Sequence, residues 1–445
     1  MALTGVQIFK LLPKTNCKKC GFPTCLAFSM QLAQRKVSVE KCPDISEDAK
    51  KQLGEASAPP IRPIKLGSGD SAVSMGEETV LFRHDKKFVN PCVLSVAIKD
   101  TEDEAAIAKK IDDVLHSEID RVGQHLKVDA ITIMNESNDA GRFEGLAKVV
   151  AAKAPAVPVI VCSENVDSAK AAIAHFKGKG SLLYGATASN MEAMAALAKD
   201  AGASLGIKAN GLDELSDLTE KAKGFGVEDL VMDSGARKGK EIIEHNTYIR
   251  RAAIKKGNKS VGYPVINFVM RDNEYLETML AGLGISKYSS IVVLSSVDKW
   301  KNLVMFTFRQ NIYTDPQVPM QVQQNVYEIG TPTQDSPLIV TTNFSLTYFI
   351  VAGEIENSKV PTWLAIMDCE GLSVLTAWAA GKFTAGKIAN FIKESGVESK
   401  IGKKELIIPG YVAILSGALE EKLEGWKIIV GPREANQIPA YLKSL

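Results

Sequence analysis

Four of the seven cysteines fall within twenty-six residues near the N-terminus, as Cys17, Cys20, Cys25 and Cys42. This feature constrains the chain most, because thiols at such density are there to hold something. The spacing is Cys-x2-Cys-x4-Cys-x16-Cys, and Gly21 and Pro23 bend the chain so that three sulfurs can face one point. Pro43 follows the fourth cysteine, as a proline does in bacterial iron–sulfur runs. Zinc sites favour two separated pairs, which the x4 step and the isolated fourth cysteine fit poorly. Spacing therefore places a 4Fe-4S cluster first, zinc second, and disulfides or inert thiols third.

Thr4 to Leu12 reads as a short helix capped by Thr4. Cys25 to Lys36 reads as a second helix, capped by Thr24 and burying Leu26, Phe28, Met30 and Leu32. So small a core is expected to lean on its metal centre. No charged segment precedes an apolar one as in a signal peptide, and no apolar run reaches the ~18 residues of a spanning helix. The expectation is a cytoplasmic protein with no membrane partner. In that reducing compartment a disulfide framework is excluded, which moves weight onto metal. Cys92, Cys162 and Cys369 lie in or beside apolar strand-like runs and read as core thiols. A net charge of +1 points to no nucleic acid.

From Gly54 to Gly69 the chain is rich in proline and glycine and reads as an interdomain hinge, following a basic head with nine Lys/Arg against five Asp/Glu in residues 1–57. Beyond it, short β-branched runs alternate with longer amphipathic stretches. The runs are Val93–Ile98, Ala130–Met134, Val157–Cys162, Ser181–Tyr184, Ser204–Ile207, Asp229–Met232, Val265–Val269 and Ile291–Leu294. Helices are expected between them, such as Asp103–Val122 and Asn273–Leu280, with Lys256-Gly257-Asn258 and Gly282-Leu283-Gly284 as helix stops. Eight strand–helix pairs predict a TIM barrel. Its chemistry-bearing rim would hold Asp100, Asn135, Glu164, Asp233 and Asp272, which reads better as a scaffold than as a catalyst because barrel ends are polar in either case.

After a second linker, Thr314 to Pro319, strands restart at Leu338–Thr342, Trp363–Met367, Leu406–Ile408 and Lys427–Val430. Four such strands cannot close a barrel, and they predict an open, doubly wound sheet with its ligand at the strand carboxyl ends. Those ends supply the candidate binding residues. They are Thr341, Thr342, Asn343 and Thr347; Gly371, Leu372, Ser373, Val374, Leu375 and Thr376; Pro409 and Gly410; and Gly431, Pro432, Arg433, Glu434 and Ala435. Glycines admit a flat ligand and hydroxyls bond it, but a nucleotide or an apolar small molecule would be served as well.

The stretch Thr4-Gly5-Val6-Gln7-Ile8-Phe9-Lys10-Leu11-Leu12-Pro13-Lys14-Thr15-Asn16-Cys17-Lys18-Lys19-Cys20-Gly21-Phe22-Pro23-Thr24-Cys25, with Cys42-Pro43 and Ala58-Pro59-Pro60-Ile61, resembles the large subunits of the corrinoid iron–sulfur proteins of the acetyl-CoA (Wood–Ljungdahl) pathway. The resemblance runs the whole chain. It implies an α/β multidomain protein: an iron–sulfur cluster domain (1–57), a linker (58–92), a TIM (β/α)8 barrel (93–312) and a C-terminal doubly wound, Rossmann/flavodoxin-like corrinoid-binding domain (325–445). It also implies that Cys17, Cys20, Cys25 and Cys42 hold a 4Fe-4S cluster and that the strand ends hold a cobalamin-type corrinoid. Co(I) would accept a methyl group from methyltetrahydrofolate, held by a separate methyltransferase, and pass it to acetyl-CoA synthase; the cluster would reduce Co(II). Implied partners are a small subunit in a heterodimer, the methyltransferase, acetyl-CoA synthase/CO dehydrogenase and a reductive activator. All five histidines, His84, His116, His125, His175 and His245, precede residue 246, so the Asp-x-His-x-x-Gly loop of many corrinoid domains is absent. A base-off cofactor with no protein axial ligand is expected. The alternative is a pterin- or nucleotide-dependent iron–sulfur oxidoreductase with the barrel as catalyst.

Overall fold

The structure is a computed structural model that describes residues 5–33, 37–46, 48–50, 53, 59–122 and 124–445. They form two compact units. The first takes the described residues up to Glu118 together with Lys127–Tyr313, and the second takes Ile119–Leu126 with Thr314–Leu445.

At the N-terminus, helices span Gly5–Leu11 and Cys25–Ala33. The predicted Thr4 cap and the helix end at Lys36 lie outside the described residues. Thr24 does cap, its Oγ1 accepting the Ala27 N–H at 3.0 Å. The buried face of the second helix is Cys25, Phe28, Ser29 and Leu32, spaced i, i+3, i+4, i+7. Leu26 and Met30 fall off that stripe and are 42% and 41% exposed, against the expectation that they are core. Ile8, Leu12, Phe28, Leu32, Val39 and Leu53 pack with Cys25 and Cys42 into one small core.

Strands β1 (Ile64–Leu66) and β2 (Val73–Met75) pair as an antiparallel hairpin. Ile64, Leu66 and Met75 are buried with the barrel side chains Val93, Ala130, Ile160 and Ile266. Part of the stretch read as linker therefore belongs to the barrel's core. The Gly67 N–H bonds the Gly180 carbonyl at 2.8 Å, which places the hairpin at the end where the strands begin.

The barrel consists of β3 (Val93–Lys99), β6 (Ala130–Met134), β7 (Val159–Cys162), β8 (Leu182–Ala186), β9 (Ser204–Lys208), β10 (Leu230–Asp233), β11 (Ile266–Phe268) and β12 (Ile291–Leu294); β4 (Ile119–Arg121) and β5 (Gln124–Leu126) intervene as a separate hairpin. The eight strands run in the order β10-β9-β8-β7-β6-β3-β12-β11, all parallel, and a Met232–Val265 bridge joins the two ends. All eight strand runs read from sequence are present. Asp103, Asp139, Asn165 and Asn273 cap the helices that follow by accepting backbone N–H groups of their first turns.

Two helix boundaries differ from the expectation. The helix read as Asp103–Val122 ends at Leu115, and β4–β5 folds into the second unit, where Val122 packs with Val322, Ile329 and Ile355. The supposed stop at Gly282 and Gly284 lies inside the helix Glu274–Ser286. A Cβ on Gly284 would come within 2.8 Å of Ser289 Oγ and 3.1 Å of Val292 Cγ2, so this glycine lets the helix approach β12.

The second unit is built on β13 (Asn325–Ile329), β14 (Leu338–Thr342), β15 (Thr362–Met367), β16 (Glu405–Ile408) and β17 (Lys427–Val430), in the order β13-β15-β14-β16-β17. The last four are parallel, as read from sequence. β13 is an unforeseen antiparallel edge on β15. The chain leaves β14 toward β15 on one side and returns to β16 on the other, which makes the β14/β16 junction a topological switch point.

Candidate functional site

Cys17, Cys20, Cys25 and Cys42 surround a tight loop. Lys14, Asn16, Lys18 and Gly21 all have positive φ, the Gly21 N–H closes a turn on the Lys18 carbonyl at 2.9 Å, and Asn16 Oδ1 accepts the Cys25 N–H at 2.8 Å. Cys25 and Cys42 are buried, and Cys17 and Cys20 are partly exposed. Burial first, and then the neighbouring Cys20, Cys25 and Cys17, push the Cys42 thiol above its ordinary pKa. The Lys19 ammonium, 3.1 Å away, holds Asp44 below the usual carboxylate range, helped by a hydrogen bond from the Cys17 thiol. Among the described residues no three His, Cys, Asp or Glu side chains are close enough to hold a metal ion. The donor set itself, four soft sulfurs in one neighbourhood, fits an iron–sulfur cluster or zinc and suits hard cations poorly. Cys92 and Cys369 are fully buried and Cys162 largely so, and burial pushes the Cys162 and Cys369 thiols up to about 12.

At the switch point of the second unit lies a cleft of about 290 Å³. The candidate residues that line it are Thr341, Thr347, Ser373, Val374, Leu375 and Pro409, with Gly431, Pro432, Arg433, Glu434 and Ala435. Thr342, Asn343, Gly371, Leu372, Thr376 and Gly410 are not on its wall, and each has another role. Thr342 is fully buried in β14, and Leu372 packs, partly buried, on the core of this unit. Thr376 Oγ1 bonds Ser373 Oγ at 3.0 Å. Asn343 holds the loop at 368–371 from beneath. A Cβ on Gly410 would sit 2.6 Å from the Gly431 carbonyl oxygen and 2.9 Å from the Arg433 nitrogen, so glycine lets the loops after β16 and β17 cross.

The structure adds Ile339, Val340, Ile350, Val351, Ile407, Ile408, Tyr411, Ile438 and Tyr441 to the lining. Most are β-branched strand or helix positions that periodicity assigns to a core. The Tyr411 hydroxyl donates to Glu434, and that bond is what lifts the Tyr411 pKa. The cleft wall is mainly apolar, and it includes Ile339 and Ile407, registered partners across β14 and β16. The Tyr441 hydroxyl is buried without a hydrogen-bond partner.

The barrel rim is internally satisfied. Asp100 accepts bonds from Asn135 Nδ2 at 2.7 Å, the Glu136 and Ser137 N–H groups at 2.9 Å and the Ser137 hydroxyl at 2.5 Å. Asp233, fully buried, takes a bidentate bond from Arg237 at 2.9 and 2.7 Å and bonds from Tyr184 and the Gly235 N–H. Lys208 pairs with Glu164. These acceptors are engaged by the protein, in keeping with a scaffold. His125, on the β4–β5 hairpin, is the one histidine of the second unit, outside the boundary drawn at 325. Its Nδ1 lies 3.0 Å from Asp120 Oδ1.

The sequence model of the CO dehydrogenase/acetyl-CoA synthase delta subunit family matches residues 63–442, and one for an Fe-S cluster region matches residues 12–43. The chain is 44% identical, over 100% of its length and 99% of the relative's, to the corrinoid/iron-sulfur protein large subunit of Moorella thermoacetica. It is 32% identical, over 100% and 99%, to the acetyl-CoA decarbonylase/synthase complex subunit gamma of Methanothermobacter thermautotrophicus. Among solved structures, a dihydropteroate synthase from Coxiella burnetii is similar at 11% identity and a TM-score of 0.40, over 57% of this chain and 100% of that one.

Proposed function

This chain belongs to the CO dehydrogenase/acetyl-CoA synthase delta subunit family, and on that premise we propose that it is a corrinoid-dependent methyl carrier, the large subunit of a heterodimer in the acetyl-CoA pathway. When bound, the corrinoid's cobalt would take a methyl group from methyltetrahydrofolate held by a separate methyltransferase and release it to acetyl-CoA synthase, and a 4Fe-4S cluster would supply the electron that restores oxidised cobalt.

One observation carries the reading: a single chain holds both a four-cysteine head and a cleft at a switch point. Cys17, Cys20, Cys25 and Cys42 would hold the cluster. Ser373, Val374, Leu375, Pro409 and Gly431–Ala435 would frame the corrin ring at the mouth, and Ile339, Ile407 and Ile438 would exclude water from the part of the cofactor that enters between them. Residues 314–445 contain no histidine and so would offer no imidazole to the metal; the cofactor's own base would be detached as well.

A small-subunit partner is supported by an apolar face on the barrel helices Glu274–Ser286 and Lys299–Tyr313. Tyr275 and Met279 are 73% and 72% exposed beside Trp300, Leu303 and Val304, with the Tyr275 and Trp300 rings 5.3 Å apart. Exposed apolar area of this kind marks interaction surfaces. A reductive activator is the further partner of this scheme, and the compartment is cytoplasmic.

The test is the cobalt, iron and sulfide content of the full-length chain. About one cobalt with four irons and four sulfides per chain is expected, and iron without cobalt, or zinc alone, would overturn the reading.

A further inference from the structure

The fourth cysteine of the head is the one the chain has to bring in from a distance, since sixteen residues separate Cys42 from Cys25. Apolar packing anchors its segment from one side, with Val39 and Cys42 buried in one core with Ile8, Phe28 and Leu32. On the exposed side a single residue gathers the rest. Asp44 accepts the Lys19 ammonium on both carboxylate oxygens, at 3.1 and 3.2 Å. The same carboxylate accepts the Cys17 thiol, and the Asp44 backbone N–H donates to the Cys42 sulfur. Lys19 stands between Cys17 and Cys20, so the pair clips the Cys17–Cys20 loop to the segment that carries Cys42.

The clip contributes little to folding. The Lys19 and Asp44 side chains are 60% and 34% exposed, and an ion pair this open to water adds little stability. Its effect falls on the cluster. Bound to iron, cysteines are thiolates, so the Asp44 carboxylate would stand beside a negative sulfur and the Lys19 ammonium would supply the offsetting charge. Net charge and hydrogen bonds to the sulfurs set the reduction potential of such a centre. Groups at contact distance act well inside the ~8 Å screening length of physiological salt. The clip also lies on the open half of the donor set: Cys17 and Cys20 are partly exposed, whereas Cys25 and Cys42 are buried.

We propose that Lys19 and Asp44 are positioning residues of the cluster: they hold the Cys17 and Cys42 sulfurs relative to each other and set the cluster's potential by opposed charges, Asp44 lowering it and Lys19 raising it. The proposal rests on the iron–sulfur reading of the head given above.

The test uses the full-length, cobalt-free chain reconstituted with iron and sulfide, with the reduced cluster followed by electron paramagnetic resonance against applied potential. Asp44→Asn is expected to move the potential positive and Lys19→Met to move it negative, although both break the same ion pair. The double variant Lys19→Met with Asp44→Asn is expected to return close to wild type, and Lys19→Arg to stay there. Single variants that move the potential in the same direction, or leave it unmoved, would overturn the proposal. Where a single variant loses iron, the double variant decides: iron regained supports the balance of charge, and iron still lost overturns it. A wild-type chain that takes up no cluster would overturn the reading of the head itself.

Discussion

Asn343 Oδ1 accepts the backbone N–H of Gly371 at 3.0 Å, tying the end of β14 to the loop that follows β15. The same oxygen accepts the Cys369 N–H at 2.9 Å, while Nδ2 donates to Asp368 Oδ1 at 2.9 Å and to Gln321 Oε1 at 3.3 Å. This loop leads directly to Ser373, Val374 and Leu375 on the cleft wall. Asn343 therefore holds the loop that carries part of the cleft wall, and it was read as a contact because it stands at a strand end.

Asn343→Ala would leave two buried amides without an acceptor. It is expected to cost about 2–4 kcal/mol of stability in the second unit and to weaken corrinoid binding at least tenfold. The double variant Asn343→Asp with Asp368→Asn keeps the acceptor and reverses the donor, and it is expected to recover most of both. Denaturant unfolding and cobalt retention check this. Equal damage in both variants would show that the side-chain pairing is immaterial.

Gly371 has φ +72°, and a Cβ there would lie 2.8 Å from Gln321 Cγ and 3.0 Å from the Pro319 carbonyl oxygen. Gly371→Val is expected to cost roughly 2–4 kcal/mol from the left-handed backbone and overpacking together. The clash is with residues 319–321, so corrinoid loss would follow loop displacement rather than direct blocking. Circular dichroism and cobalt content check it; unchanged cobalt would show that the loop can shift without consequence.

How much of this was legible in sequence depended on whether the signal was local. The barrel strands and β14–β17 are runs such as Ala130–Met134 and Lys427–Val430, whose β-branched patterning needs no tertiary knowledge. β13 pairs antiparallel at an edge, and its burial alternates only partly, so it gave no such run. The β4–β5 hairpin was hidden because His116 and Ser117 continue a helical pattern, and the docking of Val122 on the second unit is a long-range fact. The mouth of the cleft was readable from strand ends. Its interior was not, since Ile339 and Ile407 look like any core isoleucine until a cavity is found beside them.

Thiol reactivity should separate the cysteines. Only thiolate attacks disulfide reagents, and a thiol with a pKa of about 12, as at Cys162 and Cys369, is ionised to on the order of one part in ten thousand at pH 8. In native, metal-depleted protein, a dithionitrobenzoate assay is expected to modify Cys17 and Cys20 and to spare Cys92, Cys162 and Cys369. The sign for stability follows from the same shift. The folded thiols keep their protons while unfolded ones ionise from about 9.0, so stability falls as pH rises between 9.0 and about 12. Fast labelling of all seven thiols at pH 8 would contradict this.

Met279→Glu and Leu303→Glu, on the exposed barrel face, are expected to abolish co-purification of the small subunit while leaving the unfolding free energy of the isolated chain within about 0.5 kcal/mol of wild type. If both variants still pair, the partner sits elsewhere.

The axial position gives the final prediction. With no histidine in residues 314–445 and the cofactor's own base detached, electron paramagnetic resonance of the Co(II) state should show no nitrogen hyperfine coupling from below the ring. Co(I), with its axial orbital filled, gains nothing from a donor that Co(II) can use, so leaving the donor out makes reduction easier. Ser373→His, on the cleft wall, is expected to introduce that coupling, move the Co(II)/Co(I) couple to more negative potential and slow reduction by the cluster. His125 is the control, because its hairpin belongs to the same unit. A nitrogen signal in wild type that vanished in His125→Ala would identify that imidazole as the ligand. A signal that survived His125→Ala would mean that the cofactor's own base stays attached, and the base-off reading would fall with it.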